Sequence, residues 1–401
     1  MSQPLLTRTF LTVTAAHFLQ ALGYATMLLL PLYLDHLGAN RSQVGTIMAT
    51  AAVGGLALRP VAGWALDTLG RRPTLAVGTV VLVISMAMIG LIDSLGPLIY
   101  VQRVLLGIGV GTLMTAYLTY ASDVIPPARR TEGIALFGIS GLLPLALNAF
   151  AQDLGFEAAE LRWFFPGVGA AIALSLILIW LLPEPDRPNH GQNTASEGPG
   201  LLKTLTSAPL LPVWLATGVF AGLVATFMAF ATVSAQSCGV DWPAGLWLTY
   251  AAGAIGVRLF GAKLPDKLGP TNIVAPALAC YAGAMLLTAW ATTATHFQVA
   301  GLLAGLGHGF CFPVLTSQTV SRCPPQQRGS ALATFTALWD ILVLSTMPLA
   351  GFIADAFDDR TMFSGGALIA LIGLGFWAAL EHRAAGQLGR AQDPTESTSS
   401  T

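Results

Sequence analysis

The segment GWALDTLGRRP (residues 63–73) is charged and turn-forming, and it lies between two long apolar stretches. Its pattern recurs in the second half of the chain, where three residues return at a constant offset of 199 positions. The matched pairs are Arg59 with Arg258, Asp67 with Asp266, and Gly70 with Gly269. A chain made of two similar apolar halves is typical of membrane proteins in which one half rocks against the other.

The composition points to the same class of protein. Of the 401 residues, 54% are hydrophobic and only 10% are charged, whereas soluble domains carry about 25% charged residues. A membrane-spanning helix needs about 20 mostly apolar residues, and the apolar runs here are continuous rather than alternating, which excludes a barrel. The sequence predicts an all-α membrane protein with twelve spans, at residues 8–34, 43–66, 73–93, 98–121, 132–152, 163–182, 208–235, 242–262, 271–291, 297–320, 328–354 and 361–382.

A second repeat supports a duplicated six-helix unit. The glycine triplet at 107, 109 and 111 returns at 305, 307 and 309, an offset of 198, and we expect these glycines to let helices approach closely. The predicted organisation is an N-terminal half at 1–182, a Pro-, Gly- and polar-rich linker at 183–207, and a C-terminal half at 208–383. Residues 384–401 are polar, and we expect them to form a disordered tail.

The positive charges predict the orientation of the chain. Thirteen lysines and arginines fall on one set of loops and ends, and three fall on the opposite set. The positive-inside rule then places both termini and the linker in the cytoplasm. The expected location is the cytoplasmic (inner) membrane, and a net charge of −1 gives no basic surface for nucleic acid.

The chain shows no sign of an enzyme. Cys238, Cys280, Cys311 and Cys323 have neither metal-ligand spacing nor a disulfide pattern. The glycine triplets lie inside apolar spans rather than between a strand and a helix, so they do not predict a nucleotide site. We therefore expect no metal, no cofactor and no catalytic residue.

The segment at 63–73 resembles the loop 2–3 signature of the major facilitator superfamily, Gly-x-Leu-Ala-Asp-Arg-x-Gly-Arg-Arg, with Leu66 in place of Ala and Thr68 in place of Arg. The resemblance implies twelve helices in two halves and transport by alternating access. It also places helices 1, 4, 7 and 10 around a central cavity, with helix 11 beside it.

The resemblance also implies a gate made of Asp67, Gly70 and Arg71. Asp67 is expected to face the N-terminal end of span 11, near Gly329 and Ser330, when the cytoplasmic side is closed. Arg71 is expected to pair with Asp123. In the second copy Pro270 and Thr271 replace the arginines, so the sequence predicts a reduced gate that keeps Asp266.

Ionisable residues within the spans are candidate proton-coupling groups, because a charge at bilayer depth costs about 2.5–3.5 kcal/mol. Asp340 lies twelve residues, about 18 Å, from Arg328. His308 lies at a similar depth from the opposite end, so we expect the two side chains near the midplane and close together. Arg103 precedes Gly107 and resembles the helix 4 signature of proton-linked exporters, although snorkelling to the interface is an alternative.

Four polar residues are candidates for substrate contact. His17, Gln20 and Tyr24 share one face of span 1, and Asn148 lies in span 5 where a small residue is expected. Contacts between helices are the alternative for all four. Span 5 keeps Gly138, Gly141 and a proline but lacks the Gly-Pro step typical of exporters in the superfamily.

The sequence thus predicts a monomeric secondary transporter that works with a small-molecule substrate, protons and the lipid bilayer. The first hypothesis is a proton-driven antiporter exporting a small amphipathic molecule. The second is a proton symporter importing a sugar or organic acid. A membrane sensor or scaffold that does not transport is a third, which the intact residues of the gate argue against.

Overall fold

The computed structural model describes residues 4–126, 129–151, 154, 156–184, 204–261, 264–324 and 327–392, and within these ranges the chain is helical with no strand. Twelve long helical segments follow the predicted spans. They are α1 Arg8–His36, α2 Arg41–Thr68, α3 Arg71–Leu91, α4 Pro97–Val124, α5 Arg130–Leu147, α6 Leu161–Leu181, α7 Ala208–Ser237, α8 Leu246–Phe260, α9 Thr271–Ala289, α10 Ala294–Ser321, α11 Arg328–Ala356 and α12 Asp359–Gln392. Residues 185–203 of the predicted linker lie outside the described residues.

Ten of these helices are long and apolar enough to cross a membrane, so the chain is a multi-pass membrane protein. One departure from the predicted boundaries is the end of α12, which continues to Gln392, past the predicted boundary at 383. The first part of the tail predicted as disordered is therefore helical. The reason is local, because residues 384–392 include Ala, Gln, Leu and Arg, which are good helix formers.

The repeated glycines at the loop signatures have a backbone role. Gly70 (φ 106°) and Gly269 (φ 84°) both adopt the left-handed conformation, and they lie one and two residues before the start of the next spanning helix, respectively. A residue with a Cβ is strained there. The recurrence of these two glycines therefore reflects the same turn built in each half.

The glycine triplets bring helices together within each half, as predicted. A Cβ on Gly107 would overlap the Ala51 carbonyl of α2, and a Cβ on Gly305 would overlap the Tyr250 carbonyl of α8. The pairs α2–α4 and α8–α10 are thus packed backbone to backbone at equivalent places in the two halves.

The bundle has two ends, which we name by the loops they carry. The terminal face carries Arg8, the α2–α3 turn and the α10–α11 loop. The distal face carries the α1–α2, α7–α8 and α11–α12 loops. Ion pairs bind neighbouring helices at the terminal face within each half, as when Arg322 of α10 pairs with Glu381 of α12 at 2.5 Å.

Candidate functional site

The two halves meet along a seam formed by α2 against α11 and by α5 against α8. Near the distal face α2 and α11 approach very closely, because a glycine of each helix lies against the backbone of the other. A Cβ on Gly45 would overlap the Met347 carbonyl, and a Cβ on Gly351 would overlap the Arg41 carbonyl. The seam is therefore the surface along which any relative movement of the halves has to occur.

A charge pair crosses this seam inside the membrane. Arg59 Nη2 of α2 lies 2.5 Å from Asp340 Oδ2 of α11, and the two side chains are 29% and 16% exposed. Arg59 lies nine residues, about 14 Å, from the end of α2 at Thr68. In a hydrocarbon core about 30 Å thick, the pair sits near mid-depth. It links one half of the protein to the other by electrostatic attraction.

The distal ends of the halves are closed by a polar network around the start of α2. The backbone N–H groups of Arg41 and Ser42 donate to the two carboxylate oxygens of Asp355 at 2.9 and 2.7 Å. The Arg41 guanidinium pairs with Asp35 at 3.0 Å and with Asp359 at 3.2 Å. Asp355, at the end of α11, thus caps a helix of the opposite half, where a carboxylate is favoured by the unsatisfied N–H groups and the helix dipole.

A hydrogen bond at α5–α8 also closes the distal face. The Trp242 indole N–H donates to the Ala149 carbonyl at 2.5 Å, again from one half to the other. Both sides of the seam are therefore tied at this end of the bundle.

At the terminal face, two of the predicted gate residues form an ion pair. Arg71 Nε lies 3.1 Å from Asp123 Oδ2, the pairing expected from the resemblance. Asp67 is exposed, and the structure shows no hydrogen bond or ion pair between it and another described side chain. The Asp266 side chain lies outside the described part of the chain. A gating role for these residues stays a prediction.

The α5–α8 side of the seam holds a second arginine, Arg258. A Cβ on Gly138 would overlap Arg258 Nη1, so the glycine makes room for the guanidinium. A Cβ on Gly141 would lie 2.6 Å from the Tyr24 hydroxyl, and that hydroxyl donates to the Gly141 carbonyl at 2.7 Å. The span 5 glycines therefore have a packing role at the seam.

His308 lies on α10 in the C-terminal half and is linked to α8, the helix of Arg258. Its Nδ1 is 2.6 Å from the Tyr250 hydroxyl. The sequence predicts that His308 and Asp340 lie close together. In the structure Asp340 pairs with Arg59, and His308 is hydrogen-bonded to Tyr250. Aromatic rings surround His308, with centroids 5.3 Å away for Phe220 and 6.3 Å away for Phe312.

The four predicted substrate contacts lie between α1 and α5, and all but Tyr24 are buried. His17 Nδ1 is 2.7 Å from Ser140 Oγ, and its ring stacks on Phe137 at 4.4 Å. Asn148 donates to the Ala25 carbonyl at 2.8 Å. Gln20 Oε1 and Asn148 Oδ1 are buried without a hydrogen-bond partner in the described structure. These positions support contacts between helices and leave two acceptors available, so substrate contact stays a prediction.

Arg103 is buried rather than snorkelling, because it is 4% exposed. It donates to the carbonyls of Ile47 at 3.2 Å and Met48 at 2.8 Å. These bonds join α4 to α2, the helix that carries Arg59. Arg103 is therefore placed to position α2.

Sequence reasoning missed the arginines that occupy the seam. Arg59 and Arg258 are matched across the repeat, and both lie inside apolar spans, which was the available signal. The sequence could not show their different partners, because Arg59 meets a carboxylate from the other half and Arg258 does not.

The described residues thus form an all-helical bundle of two packed halves with charged groups along the seam between them, an architecture typical of polytopic membrane transporters. Residues 13–345 match the sequence profile of the Major Facilitator Superfamily. The chain belongs to this superfamily, and it is a secondary transport protein rather than an enzyme.

Relatives and solved structures are consistent with this assignment. An uncharacterized MFS-type transporter of Salmonella typhimurium (strain LT2) is 28% identical over 391 residues, covering 91% of this chain and 94% of the relative. The crystal structure of the nucleoside transporter NupG is similar with a TM-score of 0.77 and 12% identity, over 93% of this chain and 99% of that one. A POT family transporter in complex with a thioalcohol-conjugated peptide gives a TM-score of 0.78 and 11% identity, over 94% and 96%. At these identities the two solved structures show the fold alone.

Proposed function

We propose that the protein is a proton-driven antiporter that exports a small amphipathic molecule, with Asp340 as the group that carries the proton. The observation that carries the proposal is the Arg59–Asp340 pair across the seam. Its attraction depends on the charge of Asp340. Protonation of that carboxyl group removes the attraction and leaves Arg59 without a partner, so the protonation state biases the relative position of the halves.

The closed distal face supports alternating access. In this conformation Asp355 and Arg41 tie the distal ends together, while Asp67 at the terminal face is unlatched. We infer that the opposite state releases the distal network and brings Asp67 to the start of α11. Asp355 would then cap α2 at the distal face in one state, and Asp67 would cap α11 at the terminal face in the other.

Two further groups are assigned to the proton pathway. Arg103 acts through α2 by holding its backbone against α4. His308, hydrogen-bonded to Tyr250, is placed to adjust the charge near the substrate. His17, Gln20, Tyr24 and Asn148 form the substrate-facing set of the N-terminal half in this proposal.

The proposed orientation places both termini in the cytoplasm of a bacterial inner membrane, with the protein acting as a monomer. The terminal face is then cytoplasmic, and the conformation described here is open inward. The excess of Lys and Arg on the terminal-face loops supports this orientation.

The experiment is proton flux in proteoliposomes loaded with a pH dye while drugs, sugars and organic acids are added one at a time. Wild type is compared with Asp340→Asn, and with Asp358→Asn as a control of the same chemistry at an exposed position. We expect protons to move opposite to the substrate, with this movement lost in Asp340→Asn alone. Coupled movement that survives Asp340→Asn contradicts the role of Asp340.

Proton symport is the second candidate, and one observation favours it. Gly138 and Gly141 are required locally by Arg258 and Tyr24, so the glycines of α5 do not by themselves indicate an exporter. Protons that move in the same direction as the substrate in the same assay would establish symport.

A further inference from the structure

We propose that the transported molecule carries an anionic group, such as a carboxylate, and that Arg258 is the residue that binds it. This inference deepens the proposed function by naming the substrate class. It rests on the placement of Arg258 and on the charge balance of the seam, neither of which depends on proton coupling.

Arg258 is a cation inside the membrane that has no partner among the described residues. It donates no hydrogen bond to any of them, and its Nε is buried without an acceptor. Its neighbours Tyr24 and Tyr250 already use their hydroxyl groups, on the Gly141 carbonyl and on His308. A buried charged donor left without an acceptor carries the full cost of removing it from water. An arginine with no acceptor inside the membrane is typical of a site where a ligand supplies that acceptor.

Within the described part of the chain, Arg258 lacks the carboxylate partner that Arg59 has. Arg59 occupies the equivalent place in the first half and has the Asp340 carboxylate 2.5 Å away. Among the described residues, no carboxylate forms an ion pair or hydrogen bond with Arg258, and its Nε is left without a partner. The position in α5 that faces it holds Gly138, which leaves space at the guanidinium rather than an acid. With Asp340 already paired, the seam keeps a positive charge that an anionic ligand would neutralise.

An aromatic surface on α10 and α11, joined to α8 by the Tyr250–His308 hydrogen bond, suits the apolar part of the same molecule. His308 packs against Phe312, and Phe312 lies 6.0 Å from Trp339 between ring centroids. These three rings are only partly buried, so they keep accessible area. A planar apolar body can pack on such rings while its acid group meets the guanidinium, which forms two parallel hydrogen bonds with a carboxylate. The predicted class is an amphipathic aromatic acid.

The test is equilibrium binding to the purified full-length protein, measured by thermal shift. The probes are matched triads on benzene, naphthalene and indole bodies, each as carboxylate, amide and amine, with acetate as an acid that lacks the apolar body. The variants are Arg258→Gln, Arg258→Lys and, as a control, Arg360→Gln, which removes a distal-face arginine that stacks on Trp290.

We expect at least one carboxylate to bind more tightly than its amide and amine, and more tightly than acetate. Arg258→Gln should weaken that binding about 10- to 100-fold, while Arg258→Lys keeps the preference for the acid and Arg360→Gln leaves it unchanged. Amides or amines that bind as well as the carboxylates overturn the proposal, as does a preference that survives Arg258→Gln.

This assay separates the two proposals. Acid binding that depends on Arg258, found together with proton flux that ignores Asp340, retains the substrate class and rejects the coupling mechanism. Coupled flux that depends on Asp340, found with amines as the bound probes, does the reverse.

Discussion

Replacement of Asp355 with alanine is expected to open the distal face. The side chain accepts two hydrogen bonds, from the N–H groups of Arg41 at 2.9 Å and Ser42 at 2.7 Å, and it belongs to the opposite half. Loss of a capping side chain costs about 0.5–2 kcal/mol, and loss of a negative charge at a helix N-terminus adds about 0.3–1 kcal/mol. Because Asp355 is exposed and the two contributions overlap, the closed distal state should lose about 1–2 kcal/mol relative to the open one.

That free energy changes the ratio of the two states by about 5- to 30-fold. We take a distal-open population of about 1% in the wild type. A change of about 5- to 30-fold in the ratio of the two states raises that population to about 5–25% in Asp355→Ala. The change is measurable because the capping contact exists only while the distal ends are together.

The assay is the distance distribution between spin labels on the distal face, by double electron–electron resonance. The labels are attached after Asp93→Cys in the first half and Thr292→Cys in the second, two exposed loop positions. Cys238 and Cys280 are replaced by serine, because they are the more accessible native cysteines. We expect a new population at longer distance in Asp355→Ala.

The matched control is Asp358→Ala. Asp358 accepts the N–H of Thr361 at 2.6 Å, so it caps a helix within its own half. The hydrogen bond to Thr361 also lowers the pKa of Asp358, so it is charged at neutral pH like Asp355. An unchanged distribution in Asp355→Ala, or an equal shift in Asp358→Ala, would refute the interpretation of Asp355 as a latch between the halves.

Three further predictions concern the seam and the turn. Gly138→Ala places a Cβ on the Arg258 guanidinium, so we expect aromatic acids to bind at least several-fold more weakly in the thermal-shift assay, with the fold retained. Arg103→Gln removes a charged donor to the backbone of α2, so we expect the free energy of unfolding to fall by about 1–3 kcal/mol, measured as a lower Tm. An unchanged Tm together with lost proton flux would instead make Arg103 a direct coupling group. Gly70→Ala puts a side chain at φ 106° and should cost about 1–2 kcal/mol, whereas Gly167→Ala, which meets nothing within 4 Å, should leave Tm unchanged.

The sequence predicted the fold well because the relevant signals are local or repeated. Continuous apolar runs fix the helices, and the glycine triplets mark the backbone contacts that Gly107 and Gly305 make within each half. Gly70 and Gly269 recur because the same left-handed turn is needed twice. The Arg71–Asp123 pair was expected from the resemblance of residues 63–73 to the loop 2–3 signature of the superfamily.

The site was less accessible to sequence reasoning, because its contacts join the two halves. Spacing gives the depth of Asp340 along α11, but it does not say which helix of the other half lies opposite. The expected partner was His308, and the structure supplies Arg59. The capping of α2 by Asp355 depends on the closed distal state, which the sequence does not show.

The central claim is that the charge of Asp340 controls the position of the halves, and the most direct test is the same label pair on the distal face at high and low pH. Acid protonates the carboxylate and removes its attraction to Arg59, so we expect the wild type to populate the distal-open state as the pH falls. Asp340→Asn should show that population at every pH and no longer respond. A mutant that still responds to pH like the wild type, or a wild type with no response, would contradict the account.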